Sequence, residues 1–110
     1  MSERHELMKG SIDYLLLFLI GQKPTYGYQI IKDLEVRSAG YFKFKEGTLY
    51  PALHRMETGK LITSFWQSSN GRQRKYYAIS DKGIKLLTVE KTQWLDFLNA
   101  MKLIIEPIGI

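Results

Sequence analysis

The sequence contains no cysteine, which excludes disulfide bonds and thiolate metal sites and fits a reducing compartment. It also lacks a long hydrophobic run, because the longest apolar stretch, YLLLFLI at residues 14–20, is too short to span a bilayer. That stretch has neither the charged leader nor the cleavage site of a signal peptide. We therefore expect a cytoplasmic protein with no membrane partner.

Residues that carry chemistry are equally sparse. The two histidines, His5 and His54, have no companion ligands, so we expect no metal site. There is no glycine-rich phosphate loop, no credible pair of carboxylates and no nucleophile–histidine arrangement. These absences argue against an enzyme and against a bound cofactor.

What the sequence does contain is typical of one globular domain of 110 residues, with 45% hydrophobic and 25% charged residues. The formal net charge of +5 indicates an acidic partner only weakly. The distribution of charge is more informative, because the segment NGRQRK at 70–75 holds three cations and no acid. This segment is therefore a candidate for contact with an acidic partner.

Two helices open the chain. Apolar side chains fall on one helical face over residues 7–20, and Gly21 ends this helix. Thr25 is the expected N-cap of a second helix, which ends before residues 38–40. Residues 41–44, YFKF, form either a very short strand or an extended loop.

A third helix contains Pro51, which fits only a first helical turn because proline lacks an N–H and clashes with the carbonyl four residues back. Its N-cap is therefore expected at Gly47 or Thr48, and Gly59 ends it. The face predicted to be buried is formed by Leu49, Ala52, Leu53 and Met56. The opposite face presents Tyr50, Pro51, His54 and Arg55.

A hairpin and a long helix follow. Residues 61–68 and 74–80 are rich in β-branched and aromatic residues and predict two strands, with Asn70–Gly71 as a strong hairpin signal between them. Ser80 caps the final helix, which Pro107 ends. A heptad-like seam runs along this helix at alternating steps of three and four residues, with one charged interruption at Lys91. The seam consists of Ile84, Leu87, Lys91, Trp94, Leu98, Met101 and Ile105.

This order of elements predicts a fold that is mainly α with a small β-hairpin. Residues 1–80 form a winged helix-turn-helix and residues 81–110 a C-terminal dimerisation helix, in one compact unit. In a helix-turn-helix the second helix of the pair lies in the major groove of double-stranded DNA, with its N-terminal residues at the base edges. The first turn of that helix must be presented accurately, and the hairpin behind it is the wing.

The seam predicts a homodimer, because three small helices and a hairpin cannot cover an apolar stripe of this length. We expect two copies to pair through residues 84–105, with the first helix contributing from the partner. The two recognition helices would then lie roughly 34–36 Å apart and match a palindromic operator. The predicted interface residues are Leu87, Trp94, Leu98, Met101 and Ile105.

Three blocks of the sequence resemble the signature of the PadR family of transcriptional regulators: TYGYQI at 25–30, GTLYPALHRMETGKLI at 47–62 and GRQRKYYAISDKG at 71–83. The resemblance spans nearly the whole chain. The single helix after the wing resembles the smaller subfamily, in which that helix forms the dimer. The loop YFKFKE at 41–46 is more aromatic and basic than the family's usual loop.

The resemblance implies that Tyr26 opens the second helix and that Thr48, Tyr50 and Pro51 open the recognition helix. It also implies that cations of the wing contact phosphate. His54 is added because it lies on the exposed face of the third helix. The predicted DNA-binding residues are therefore Tyr26, Thr48, Tyr50, Pro51, His54, Arg72, Arg74 and Lys75. The alternatives are a half-buried core tyrosine at position 50, a solvated histidine at 54 and a merely soluble hairpin tip.

Trp94 has two interpretations. It is either an anchor of the dimer interface, the commonest use of a buried tryptophan, or part of a ligand site. The second interpretation is implied by resemblance to small PadR-type regulators that hold a planar aromatic compound between two such tryptophans. Phe97 and Leu98 would line that cavity, and Asp96 would face a cationic ligand. The positive charge of Lys91 beside the cavity would disfavour such a ligand.

Two functions remain once an enzyme is set aside. The first is a sequence-specific DNA-binding transcriptional regulator, a homodimeric repressor released by a small aromatic effector. The second is a winged helix used for protein–protein contact, for which the wing would be less basic and no dimer seam would be required.

Overall fold

The computed structural model describes residues 2–106, and their side chains from residue 12 onward. Four helices and three short strands follow one another in this region. The helices are α1 (Ser2–Gln22), α2 (Gly27–Arg37), α3 (Glu46–Thr58) and α4 (Asp81–Ile105). The strands are β1 (Thr25–Tyr26), β2 (Ile62–Ser69) and β3 (Arg72–Ile79), and they form one antiparallel sheet in the order β1-β3-β2. The predicted winged helix-turn-helix with a long final helix is confirmed.

The hydrophobic core lies where α1, α2 and α3 meet the base of the sheet. The predicted apolar face of α3 is buried throughout, because a helix of only three turns is stable only when packed against its neighbours. Its partners are the fully buried side chains of the other elements, Leu16, Ile20, Ile30 and Ile62.

Helix α3 begins earlier than predicted. Its N-cap is Lys45, whose carbonyl accepts hydrogen bonds from the backbone N–H groups of Thr48 and Leu49, both at 3.0 Å. The predicted cap at Gly47 or Thr48 is therefore wrong, and Pro51 lies in the second turn. Proline is tolerated there because the carbonyl four residues back belongs to Gly47, which is exposed, so water can satisfy it.

The predicted N-cap at Thr25 is also wrong. Thr25 is buried in β1, opposite Tyr77 of β3, and the N-cap of α2 is Tyr26, whose side chain makes no capping hydrogen bond. A strand of two residues has no periodicity of its own. Only the pairing with β3 defines it, so it could not be seen in the sequence.

The wing is the hairpin formed by β2 and β3. Asn70 and Gly71 both have positive φ angles, 54° and 77°, which is the geometry of the two-residue turn that Asn-Gly favours. This tight turn pairs Ser69 with Arg72, so β3 starts two residues earlier than predicted. Residues 41–44 contain no strand, and of the two alternatives the extended loop is correct.

Helix α4 is capped as predicted, since the Ser80 hydroxyl accepts a hydrogen bond from the Gly83 N–H at 3.1 Å. A side chain at position 83 would collide with the carbonyl of Leu61, because a Cβ there would lie 2.2 Å from that oxygen. The glycine therefore lets α4 start against the base of the wing. The helix ends at Ile105, and the predicted stop at Pro107 lies outside the described residues.

The molecule is elongated, measuring 56 × 28 × 27 Å. Its Cα radius of gyration is 15.7 Å, whereas a compact domain of this length has roughly 13 Å. Helix α4, whose 25 residues extend about 37 Å, is longer than either of the two short dimensions of the molecule. None of the described helices is long and apolar enough to cross a membrane.

Candidate nucleic-acid interface

The exposed face of α3 carries the predicted contacts Thr48, Tyr50, Pro51 and His54. Tyr50 is 43% exposed, so it is neither a core residue nor a free side chain. Its ring lies against the start of α2, where a Cβ on Gly27 would come within 2.5 Å of the Tyr50 hydroxyl oxygen. The two helices of the helix-turn-helix thus meet through this tyrosine, and His54 lies one turn further along the exposed face.

Arg55, which belongs to the same exposed row, is held within the protein. Its guanidinium forms an ion pair with Asp13 of α1 at 2.8 Å. This contact joins the recognition helix to α1, so the arginine is less available to an external partner than its position suggests.

The three wing cations are in three different environments. Arg72 is exposed at the hairpin turn. Arg74 is half-buried, with its guanidinium 4.6 Å from the centre of the Tyr26 ring, a cation–π contact. Its Nε is buried and has no hydrogen-bond partner in the described part of the chain.

Lys75 points to the opposite face of the wing, because side chains alternate along a strand. Its Nζ is 3.8 Å from the Glu57 carboxylate in the last turn of α3 and 5.8 Å from the centre of the Tyr77 ring. Glu57 also accepts a hydrogen bond from the Ser64 hydroxyl of β2. Glu57 therefore connects the recognition helix to both strands of the wing.

Tyr77 lies beside this cluster. Burial raises the pKa of its phenol above the ordinary value of 10.0, and the charges of Glu57 and Tyr50 act in the same direction. The neutral phenol is thus the form that the folded protein favours.

A row of aromatic rings crosses the outer face of the sheet. Tyr26 of β1 packs edge-on against Tyr76 of β3 at 5.2 Å, and Tyr76 stacks on Phe65 of β2 at 5.7 Å. These are directly opposed cross-strand pairs. Together with Arg74 they bring the start of α2 and the wing into one surface. Tyr76 and Phe65 were not predicted as site residues, because the row exists only once β1 joins the sheet.

Trp94 of α4 stacks on Tyr14 of α1, with ring centres 5.9 Å apart, and meets Phe97 edge-on at 5.8 Å. A hollow of about 240 Å³ beside it is lined by Glu90, Gln93, Trp94 and Phe97. A second hollow of about 290 Å³ lies on the side of α1 and includes Tyr14, Glu90 and Trp94. Trp94 therefore separates two hollows.

Not all of the predicted ligand residues come together. Leu98 lines a different hollow, with Met101 and Ile105, because successive helical residues point about 100° apart and Leu98 falls on the other side of Trp94 from Phe97. Asp96 lines neither hollow beside Trp94, and the carboxylate that does is Glu90. Burial, followed by the charge of Glu90, raises the pKa of Tyr14.

Lys91 also lies away from these two hollows. Its Nζ is 5.7 Å from the centre of the Phe18 ring of α1, and it lines a separate hollow on that side of α4. It therefore does not oppose a cation beside Trp94 in the way predicted.

The C-terminal half of α4 carries an exposed apolar surface. Of the predicted seam, Leu87 and Trp94 are half-buried, whereas Leu98 and Met101 are 53% and 42% exposed. The exposed apolar side chains around them are Leu95, Phe97, Leu103, Ile104 and Ile105. Among the side chains described, those of residues 12–106, no three His, Cys, Asp or Glu residues come together as metal ligands.

Comparison with known proteins agrees with this arrangement of helices and wing. The sequence model of the transcriptional regulator PadR-like family matches residues 16–89, more than half of the chain. The protein belongs to the PadR-like family. Members of this family are DNA-binding transcription regulators and not enzymes, so the predictions of family, of regulator and of no enzyme are confirmed.

Three relatives of this PadR-like protein illustrate the match. An uncharacterized protein of Lysinibacillus sphaericus is 32% identical over 106 residues, covering 96% of this chain and 97% of the relative. The crystal structure of a PadR-like transcriptional regulator from Bacillus cereus has a TM-score of 0.80 at 31% identity, covering 92% and 97% of the two chains. A PadR family regulator from Clostridium difficile has a TM-score of 0.73 at 38% identity, covering 86% and 97%.

Proposed function

We propose that the protein is a homodimeric repressor that binds a palindromic operator in double-stranded DNA and is released by a planar aromatic effector. Residues 1–80 form the DNA-binding part and residues 81–110 the dimerisation helix. The observation that carries this proposal is the exposed apolar seam of α4 beside a helix-turn-helix whose own core is already complete.

The dimer follows from the seam. Exposed apolar patches larger than a few hundred Å² are uncommon on monomeric soluble proteins and mark interaction surfaces. The seam repeats at the three–four spacing that pairs helices with one another, which favours a second copy of α4 as the occupant. A two-fold axis through the seam would present two copies of α3, which we expect to enter successive major grooves.

On DNA, α3 would enter the major groove and the wing would follow the backbone. Thr48, Tyr50, Pro51 and His54 lie on the only face of α3 that the core leaves open in the described structure. Tyr26, Arg72, Arg74 and Lys75 belong to the wing and the start of α2, where phosphate contacts add affinity but carry no sequence information.

The effector site would be the hollow beside Trp94. One wall is open in a single chain, and a second copy of α4 would close it. Planar aromatic compounds fit because two tryptophan rings can stack on both of their faces. Glu90 gives this site a negative charge, so a cationic planar compound is favoured.

Fluorescence anisotropy with labelled duplexes at two salt concentrations tests the DNA-binding part. We expect binding that weakens steeply with salt, as phosphate contacts require. Ala at Arg72 should weaken binding to all sequences alike, whereas Ala at Tyr50 or His54 should change sequence preference. If the protein is folded but binds no duplex at low salt, that result would instead favour a winged helix used for protein–protein contact. Transcription from a template with the operator at the promoter, with and without effector, tests repression.

A further inference from the structure

The segment that joins α2 to α3, residues 41–45, has an alternating structure. Phe42 and Phe44 are half-buried and pack against the core, whereas Tyr41, Lys43 and Lys45 are exposed. The two phenylalanine rings stack on each other at 5.8 Å. The segment is therefore extended, with both phenylalanine side chains directed inward and both lysines directed outward.

The segment is also anchored at its start. The chain reverses at Ala39 and Gly40, which both have positive φ angles, and the Phe42 N–H donates to the Ser38 hydroxyl at 2.8 Å. At its end, the Lys45 carbonyl accepts two hydrogen bonds from the first turn of α3. The lysines are thus presented from a fixed backbone, directly ahead of the recognition helix.

Lys45 is an unfavourable N-cap for this helix. Its side chain cannot accept a hydrogen bond from the free N–H groups of the first turn, and its positive charge opposes the positive end of the helix dipole. Within the described residues neither Lys43 nor Lys45 forms an ion pair. A cation that destabilises the helix start locally is better explained by an external anion than by the fold.

We propose that Lys43 and Lys45 bind the DNA phosphate backbone at the edge of the groove that α3 enters. The wing leaves the C-terminal end of α3 and these lysines precede its N-terminal end, so the backbone is held at both ends of the recognition helix. Glu46, the residue after Lys45, carries a negative charge and would repel phosphate. The proposed contact is therefore made by the ammonium groups of Lys43 and Lys45. The inference rests on the proposed binding of DNA by α3.

Stability and DNA affinity should respond in opposite directions to Lys45→Ser. A serine can cap the helix, so the melting temperature should rise by roughly 2–6 °C. The same substitution should weaken DNA binding roughly 10–100-fold at 0.1 M salt for a dimer, because each protomer loses one phosphate contact. If Lys45 makes no DNA contact, the melting temperature should still rise, because the serine still caps the helix, and the affinity for DNA should stay unchanged; that result would overturn the proposed contact.

The salt dependence of binding to labelled duplexes, measured on the intact protein, tests both lysines. Lys43→Ala and Lys45→Ala should each reduce the slope of log K against log salt by about one unit per protomer, for specific and random duplexes alike. Lys85→Ala, an exposed lysine of α4, is the matched control and should leave the slope unchanged.

Arg72→Ala in the wing distinguishes the proposed phosphate contact of Lys43 and Lys45 from the proposed binding of DNA by the protein as a whole. If Arg72→Ala reduces the slope but neither Lys43→Ala nor Lys45→Ala does, the two lysines do not contact phosphate and the proposed function stands. If none of the three changes the slope of a folded protein, both are overturned.

Discussion

At the scale of single residues, two wing cations of equal charge have different surroundings, so we expect them to contribute differently to DNA binding. Arg72 is exposed, whereas the Lys75 ammonium already faces the Glu57 carboxylate at 3.8 Å. We therefore expect Arg72→Ala to reduce the salt slope of DNA binding by about one unit per contact, and Lys75→Ala to reduce it by less. Glu57→Gln should release Lys75 and strengthen binding to random duplexes. Equal effects of the two alanine variants would contradict this ranking.

Tyr77 gives a prediction about pH. Burial raises the pKa of its phenol above 10.0 in the folded protein, so the folded state holds the proton more tightly than the unfolded chain does. The associated stability is fully present below pH 10 and is lost as the pH rises through the raised pKa. The urea midpoint should fall between pH 9 and pH 11, and fall less in Tyr77→Phe. Tyr28→Phe, at an exposed position, is the control, and an equal fall in both variants would rule out Tyr77 as the cause.

At the scale of elements, sequence patterns predicted what depends on local chemistry. The buried stripe of α3, the Asn70–Gly71 turn and the Ser80 cap were all predicted, because each requires particular residues at fixed spacing. Strand β1 was missed because its partner is 50 residues away in β3. The start of α3 differs from the predicted one because a proline in the second turn is tolerated when the carbonyl four residues back is exposed.

The candidate site was less predictable than the fold. Residue types identified the cations of the wing but not their partners, so the pairing of Lys75 with Glu57 and of Arg74 with Tyr26 became visible only in three dimensions. In the same way the sequence suggested Asp96 for the hollow beside Trp94, whereas the geometry of α4 presents Glu90 there.

Helix α4 carries the prediction about the effector. In a Trp66→Phe background, Trp94 is the only tryptophan, so its fluorescence should be quenched to saturation by planar aromatic cations. Trp94→Ala should abolish binding of the same dyes while the dimer persists; because this variant has no tryptophan, its binding is followed by the fluorescence of the dye. Glu90→Gln should weaken binding of a cationic dye several-fold, whereas Asp96→Asn, on the same helix but outside the hollow, should not. If no planar dye quenches Trp94, the residue is an interface anchor only.

At the scale of the whole molecule, the proposed dimer would account for the elongated shape. The exposed side chains of Leu98 and Met101 lie on the part of α4 that no described element covers. Replacing both by Asp places charges in the proposed interface, so sedimentation should show monomers, and operator binding should be lost. A matched pair on exposed polar positions of the same helix, Lys85→Asp and Thr92→Asp, should leave the dimer intact. A double mutant at 98 and 101 that stays dimeric would show that this interface is wrong.

In the proposed complex, two recognition helices, held by a dimer through α4, read one palindromic site. The most direct measurement is to incubate the protein with fragmented DNA from its own source, sequence what is retained and footprint the enriched fragments. We expect inverted half-sites whose centres are about 10–10.5 base pairs apart, or a multiple of that, because the two α3 helices would enter successive major grooves. Enrichment of a single unpaired half-site, or of no sequence at all, would contradict it.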